Sequence, residues 1–234
     1  MNAIAKLDYH ESTLVGKLMG MKAIGTNTTK NKFCFDRYTQ AKIKNEKAGK
    51  VVDICGVCYS QKSLNGFRQN NQKALDKNNV FAEKPLTETD LKQIFILQSY
   101  YRFDHHGELL TELCDDKGNI TKRFDKFTMI ENFCRIAEYN PHCNFGLWTK
   151  RKDIISQFFK TRKKPKNFIL VYSNLVVNKV IRKIPLHFDK VFNNVEKDYL
   201  IDEQNCTGQK CIECMRCYKF SNEVENNIII EKVK

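Results

Sequence analysis

The sequence lacks the features that would place it at once in several common classes. It has no run of about eighteen apolar residues, so no membrane-spanning helix is expected. Its N-terminus does not have the basic-then-apolar order of a signal peptide, which favours the cytoplasm. It has neither a phosphate-cradling glycine loop nor a Gly-x-Ser-x-Gly elbow, and this argues against nucleotide hydrolysis and serine hydrolysis.

Acidic residues are in the minority. The chain has 40 Lys and Arg against 27 Asp and Glu, a formal net charge of +13. Such an excess favours nucleic acid, nucleotides or an acidic protein as partner, although an AT-rich genome also gives a lysine-rich surface. The densest basic stretches supply the candidate nucleic-acid-binding residues, which are Lys150, Arg151, Lys152, Arg162, Lys163 and Lys164. A run of this kind can also be a solvated face without a partner.

Cysteine, by contrast, is abundant, with ten residues. In a reducing cytoplasm this number indicates metal binding rather than disulfides. Four of them form a Cys-x4-Cys-x2-Cys-x2-Cys run near the C-terminal end, namely Cys206, Cys211, Cys214 and Cys217. The compact spacing is typical of ferredoxin-type motifs and favours a [4Fe–4S] cluster. Zinc is the alternative, although zinc ribbons more often pair two Cys-x2-Cys knuckles across a longer gap.

A second, looser group of thiols is predicted to bind a cofactor, and its members are Cys34, Cys55 and Cys58. Three thiolates leave one coordination position open, which is what catalysis at a metal requires. A fourth ligand from His105, His106 or a C-terminal cysteine would instead close the site, and one centre can also draw on both groups. The sequence leaves these alternatives open. The remaining cysteines are expected to be buried, and they are Cys114, Cys134 and Cys143.

Helical and extended patterns alternate along the chain. Residues 60–79 and 127–139 have helical apolar spacing, while 99–104, 144–149 and 167–174 have the character of strands. The alternation predicts an α/β fold of βα units on a largely parallel sheet, either open or a partial barrel. We expect residues 1–200 to form an α/β body that carries the Cys34 group. Residues 201–234 are expected to form a Cys-rich metal-binding segment packed on that body.

Polar side chains cluster directly after the strand expected at 99–104. The candidate catalytic residues there are Arg102, His105, His106 and Glu108. Ligands of parallel sheets gather at the carboxyl ends of the strands, where histidine and glutamate suit acid–base chemistry. Arg102 is suited to hold a phosphate or a carboxylate with two hydrogen bonds. The alternative is a polar turn that only caps the next segment.

Several of these motifs, taken in order, resemble the phage gene product 88 family of phages and mobile elements. The resemblance covers about residues 14–220 and lies in Cys34, ICGVCYS (54–60), Phe67-Arg68, Asn70-Asn71, YRFDHHGEL (101–109), IAEYNP (136–141), FGLWTK (145–150) and the four C-terminal cysteines. It implies a phage- or mobile-element-encoded protein in a bacterial host cell. It also implies a distant relation to radical-SAM enzymes, in which three cysteines on a partial or complete βα barrel hold an iron–sulfur cluster that binds S-adenosylmethionine.

The cysteine spacing departs from that radical-SAM motif. Twenty residues separate Cys34 from Cys55, and no glycine-rich SAM motif is evident, which argues against S-adenosylmethionine. The first interpretation is an iron–sulfur protein with radical-SAM-like chemistry on a nucleotide or nucleic acid. The second is a basic protein, stapled by zinc or a cluster and without catalysis, that contacts nucleic acid or a host nucleoprotein during host takeover or against a host defence.

Overall fold

The computed structural model describes residues 6–200, 202–224 and 226–233. Its strands are β1 (Ser12–Thr13), β2 (Lys22–Ile24), β3 (Tyr100–Phe103), β4 (Glu112–Cys114), β5 (Ile120–Arg123), β6 (Asn144–Thr149), β7 (Phe168–Ser173), β8 (Lys190–Val195) and β9 (Ile228–Lys232). Its α-helices are α1 (Lys32–Ala48), α2 (Tyr59–Asn65), α3 (Asn71–Asp76), α4 (Val80–Glu83), α5 (Glu88–Lys92), α6 (Thr128–Tyr139), α7 (Lys152–Phe158) and α8 (Cys211–Cys214).

Seven strands form one sheet in the order β1-β2-β3-β6-β7-β8-β9, and β4 pairs with β5 in a separate hairpin. Only β1 is antiparallel to its neighbour in the large sheet; every other pair is parallel. The predicted α/β fold with a largely parallel sheet is therefore confirmed. From β2 onward each strand of the sheet pairs with the sheet strand that comes next in the chain, and the helices of the β3–β6 and β6–β7 connections pack on one face of the sheet.

Helices α6 and α7 cover that face and form the larger core with it. Alternate strand residues point to it, so Tyr101 and Phe103 of β3 pack with apolar side chains of both helices. Phe133 of α6 stacks on Phe103 with ring centres 4.1 Å apart. The apolar positions of α6 recur at helical spacing, which is why the sequence turns one side of this helix to the sheet.

The opposite face of the sheet is covered by the connection from β8 to β9, which carries the four C-terminal cysteines. Met215 and Tyr218 of this connection pack on Trp148 of β6 and on Ile169 and Val171 of β7. Gly146 makes the close approach possible, because a Cβ there would lie 2.7 Å from the Trp148 ring and 3.1 Å from the Tyr218 ring. The chain then returns as β9, parallel to β8, within the same sheet.

The predicted α/β body (1–200) and the predicted Cys-rich segment (201–234) each include residues outside the described ones. Ile201, at the predicted boundary between body and Cys-rich segment, lies outside them, as do residues 1–5, 225 and 234. Among the helices that the structure does describe, none is both long and apolar enough to cross a membrane.

Candidate metal and substrate cavity

A cavity of about 930 Å³ lies over the sheet face that carries Arg102 and Trp148. Six of the seven cysteines predicted to bind a metal or cofactor line it, namely Cys34, Cys55, Cys58, Cys206, Cys211 and Cys217. All four predicted catalytic residues line it as well, namely Arg102, His105, His106 and Glu108. Two thiol groups that are far apart in sequence thus share one cavity with the polar strand end.

The first thiol group is positioned by two capped turns. Cys34 lies in the first turn of α1, where its backbone N–H donates to the Asn31 side chain at 3.3 Å. Cys55 and Cys58 belong to the 3-10 turn that follows α1, and Asp53 caps that turn by accepting from Cys55 N–H at 3.1 Å. The caps fix these turns locally, and all three thiols line the same cavity.

These thiols lie next to a lysine and a glutamate. Burial raises the pKa of Cys34, and it raises the pKa of Cys55 to about 11. The Lys150 ammonium lies 3.5 Å from a Glu108 carboxylate oxygen. Burial opposes the charge of Lys150, but the Glu108 carboxylate raises its pKa on balance. Without a metal Cys34 and Cys55 are protonated, and Lys150 stands where its charge would offset thiolates.

The second group, Cys206, Cys211, Cys214 and Cys217, surrounds a small cavity of about 30 Å³ beside Tyr218. Met215, in a left-handed conformation with φ of 52°, turns the chain between Cys214 and Cys217. Burial raises the pKa of Cys217 to about 12, and the other thiols of the group add to the shift. The Lys17 ammonium lies 4.0 Å from Cys206 Sγ and also pairs with Glu231.

The donor sets fit a thiolate-bound metal in type and number. Four thiols around one cavity match the ligand count of a [4Fe–4S] cluster or a structural zinc, and three thiols match a site with an open position. As placed, no three His, Cys, Asp or Glu side chains of residues 6–200, 202–224 and 226–233 stand close enough to share one ion. Metal binding therefore requires the thiols to turn toward their common cavity.

Arg102 projects from β3 into the cavity. Its guanidinium carbon lies 4.2 Å from the centre of the Trp148 ring, a cation–π contact. Its Nε is buried without a hydrogen-bond partner, and no carboxylate of the described chain lies within ion-pair distance. Burial opposes its charge, yet Tyr218 and Tyr59 beside it raise the pKa of Arg102 on balance. Arg102 is therefore a fixed cation that the protein itself does not neutralise.

Asp104 lies in the same strand-end cluster but is not one of the four predicted catalytic residues. It follows β3 with φ of 50°, in the left-handed region, and it is 4% exposed with neither carboxylate oxygen hydrogen-bonded. Burial raises the pKa of Asp104 well above its usual value, Glu108 adds to the shift and Arg102 opposes it. A buried acid without hydrogen-bond partners, in the left-handed region, is costly for the fold, and such groups concentrate at functional sites. Its position directly after a strand was the available signal.

The two histidines are held as neutral rings. His106 Nδ1 shares a hydrogen bond with the Ser60 hydroxyl, and the His105 carbonyl accepts from the Tyr59 hydroxyl. His105 Nδ1 is buried and has no partner. Burial is the main cause that lowers the pKa of His105 to about 2 and that of His106 to about 4. Both rings therefore line the cavity as uncharged groups at neutral pH.

Glu108 differs from Asp104 because its hydrogen bonds are satisfied. Its carboxylate accepts from the Thr149 hydroxyl at 2.6 Å and from the Lys150 backbone N–H at 3.0 Å. It is 3% exposed. This predicted catalytic residue thus fixes Lys150 and the end of β6, which makes it a positioning residue in the geometry observed.

The predicted basic stretches do not form one free cationic surface. Four of their six members are bound to carboxylates: Lys150 to Glu108, Arg151 to Asp153, Arg162 to Glu131 and Glu138, and Lys164 to Asp189. Arg151 is also buried, while Lys152 and Lys163 are exposed. The sequence shows the run of cations but not the acidic side chains that the fold brings to them.

Comparisons with protein-family models, with curated proteins and with solved structures give no match. The resemblance to the gene product 88 family stays a prediction, as do the phage origin and the bacterial location that it implies.

Acidification is expected to destabilise the fold through the two histidines. Their pKa values lie below the 6.5 of an unfolded histidine, so the unfolded chain binds more protons as the pH falls from about 6.5 toward 4. Stability is complete above that range and declines through it by up to about 1.4 kcal/mol per pH unit for each histidine. Urea unfolding at several pH values measures the slope. His106→Gln should reduce it, and an equal slope in the variant and the wild type would contradict the assignment.

Proposed function

We propose that the protein is an iron–sulfur metalloprotein whose cavity holds a nucleotide or a nucleic-acid segment as substrate for radical-SAM-like chemistry. One observation carries the proposal: two separate thiol groups and an unneutralised arginine line a single cavity. A purely structural metal staple explains the C-terminal group, but it does not explain why the other thiols and Arg102 share its cavity.

The residues divide into two roles under this proposal. The C-terminal thiols are the ligands of a [4Fe–4S] cluster, and Cys34, Cys55 and Cys58 are the ligands of a second centre with an open position. A bound iron–sulfur cluster supplies single electrons. Lys17 and Lys150 offset the negative charge of the two thiolate groups, and Arg102 orients an anionic group of the substrate. Asp104 and the neutral histidines offer hydrogen bonds to its uncharged parts.

The alternative is a basic binding protein in which zinc or a cluster only stabilises the C-terminal segment and takes no part in catalysis. It has less support, because most of the predicted phosphate-binding side chains already pair with carboxylates. Charge reversal at the exposed Lys163 tests this alternative. A salt-dependent loss of DNA or RNA binding in Lys163→Glu, with the metal retained, would favour the alternative.

Anaerobic purification with iron, sulfide and zinc analysis tests the proposal. We expect a brown protein whose iron–sulfur cluster absorbs at about 400 nm. Replacing the four C-terminal cysteines by serine should abolish one centre, and replacing Cys34, Cys55 and Cys58 should abolish the other.

A matched control replaces Cys114, Cys134 and Cys143, which do not line the cavity, by alanine; both centres should remain. Colourless protein with one equivalent of zinc would remove the electron-transfer chemistry. Loss of metal in the control but not in the other two variants would assign the ligands elsewhere.

A further inference from the structure

The charges around the cavity are unbalanced. Three of its basic side chains pair with carboxylates: Lys17 with Glu231, Arg37 with Asp53 and Lys150 with Glu108. Four others form no ion pair in the part of the chain that the structure describes, namely Lys62, Arg68, Arg102 and Lys232. Asp104 is the one lining carboxyl without such a partner, and burial raises its pKa, which disfavours its negative charge. The cavity therefore carries an excess of positive charge that an anionic occupant would balance.

Arg102 is the best placed of these cations to receive the anion. The Trp148 ring supports one side of its guanidinium, and the absence of a side chain at Gly146 lets Tyr218 pack beside that ring. A guanidinium fixed in this way loses little conformational entropy when it binds an oxyanion with two hydrogen bonds. Its buried Nε already lacks the partner that a protein normally gives such a group.

Two further buried groups next to Arg102 also lack partners. They are both oxygens of Asp104 and Nδ1 of His105, on residues that are 4% and 7% exposed. Both residues line the cavity. One anion cannot satisfy all of these atoms, so the missing partner has an anionic end and a separate hydrogen-bonding part.

The structure assigns this cavity to a free mononucleotide, whose phosphate binds Arg102 and whose uncharged polar part hydrogen bonds to Asp104 and His105. The assignment deepens the proposed function and depends on it for the substrate class. It selects the free nucleotide over nucleic acid because three partly buried and unpaired cations, Arg68, Arg102 and Lys232, line the cavity, while most of the predicted surface cations are paired. A cavity of about 930 Å³ has the size of known small-molecule sites.

Trp148 is the only tryptophan of the chain, so its fluorescence reports on the group that binds Arg102. We would titrate the purified protein, with its metal, with adenosine, cytidine, guanosine and uridine monophosphates, the matching nucleosides, inorganic phosphate and a short single-stranded DNA. We expect at least one nucleotide to bind about tenfold or more tightly than its nucleoside and than phosphate. Tighter binding of the DNA than of every nucleotide, or no binding of any nucleotide, would overturn the assignment.

Two variants distinguish the phosphate contact at Arg102 from the polar contact at Asp104. Equilibrium dialysis is the assay, because replacing Arg102 beside Trp148 changes the tryptophan fluorescence itself. Arg102→Gln should weaken both phosphate and the nucleotide by about 10- to 100-fold, as expected when a charged hydrogen-bond partner is lost. Asp104→Ala, which removes the hydrogen-bonding group, should weaken the nucleotide and leave phosphate unchanged. Arg182→Gln, which removes an exposed arginine outside the cavity, is the control. Equal affinities in all four proteins would contradict the proposed contacts.

Metal analysis of the same samples keeps this assignment distinct from the proposed function. Nucleotide binding by protein that never takes up iron would leave the assignment standing and remove the iron–sulfur function. Iron-loaded protein that binds no nucleotide would do the reverse.

Discussion

Chelation of the metal is expected to make residues 202–224 at least about 100-fold more sensitive to proteolysis. This segment has little regular structure, with one four-residue helix and two 3-10 turns. Met215 and Tyr218 are its buried apolar anchors in the described chain. A metal bound by the four thiols would therefore supply much of the free energy that holds it against the sheet.

Limited proteolysis followed by mass spectrometry measures the effect. The hairpin turn at 115–119 provides an internal control for the C-terminal segment: none of its residues lines either cavity, so its cleavage rate should change far less. The quadruple cysteine-to-serine variant should be cut at the fast rate with or without chelator. Equal cleavage of 202–224 before and after chelation would show that no metal holds the segment.

Much of the fold was predictable because its core strands are apolar along their whole length. The strand expected at 167–174 is observed as β7 and the one at 144–149 as β6, both buried on two faces as strands of parallel sheets are. The helix expected at 127–139 is observed as α6. Its apolar residues recur at helical spacing because one side of the helix faces the sheet. These patterns depend only on local sequence and on burial, which is why they can be read without the structure.

Other features of the fold were not predicted. The helix expected over 60–79 is divided into α2, α3 and a 3-10 turn, with Gly66 ending α2. The exposed hairpin strand β5 has no apolar alternation that could have marked it.

The shared cavity belongs to the same category. Cysteine spacing predicts two groups of thiols, but their meeting depends on the strand order and on the β8–β9 connection crossing the sheet face. The same limit applies to individual side chains. Nothing local distinguishes Glu108, which the fold satisfies, from Asp104, which it leaves without a partner.

Replacement of Glu108 by alanine is expected to destabilise the protein by about 3–5 kcal/mol. The change leaves the Lys150 ammonium without its carboxylate in a largely enclosed position, and it removes the acceptor of the Thr149 hydroxyl and the Lys150 backbone N–H. Glu108→Gln keeps an acceptor of similar shape but loses the charge, so its cost should be smaller, about 1–3 kcal/mol. Urea unfolding at about pH 7, on samples of equal metal content, gives the three free energies.

The exposed pair of Lys122 and Glu83 is the matched control. Its side chains are 50% and 41% exposed, against 21% and 4% for Lys150 and Glu108, so water can replace the lost partner. Glu83→Ala should therefore cost no more than about 1 kcal/mol. If Glu108→Ala cost as little, the carboxylate would not be what holds Lys150, and Glu108 would be free to take part in chemistry like its unsatisfied neighbour Asp104. A large cost confined to Glu108 would instead fix Lys150 as a permanent cation beside the first thiol group.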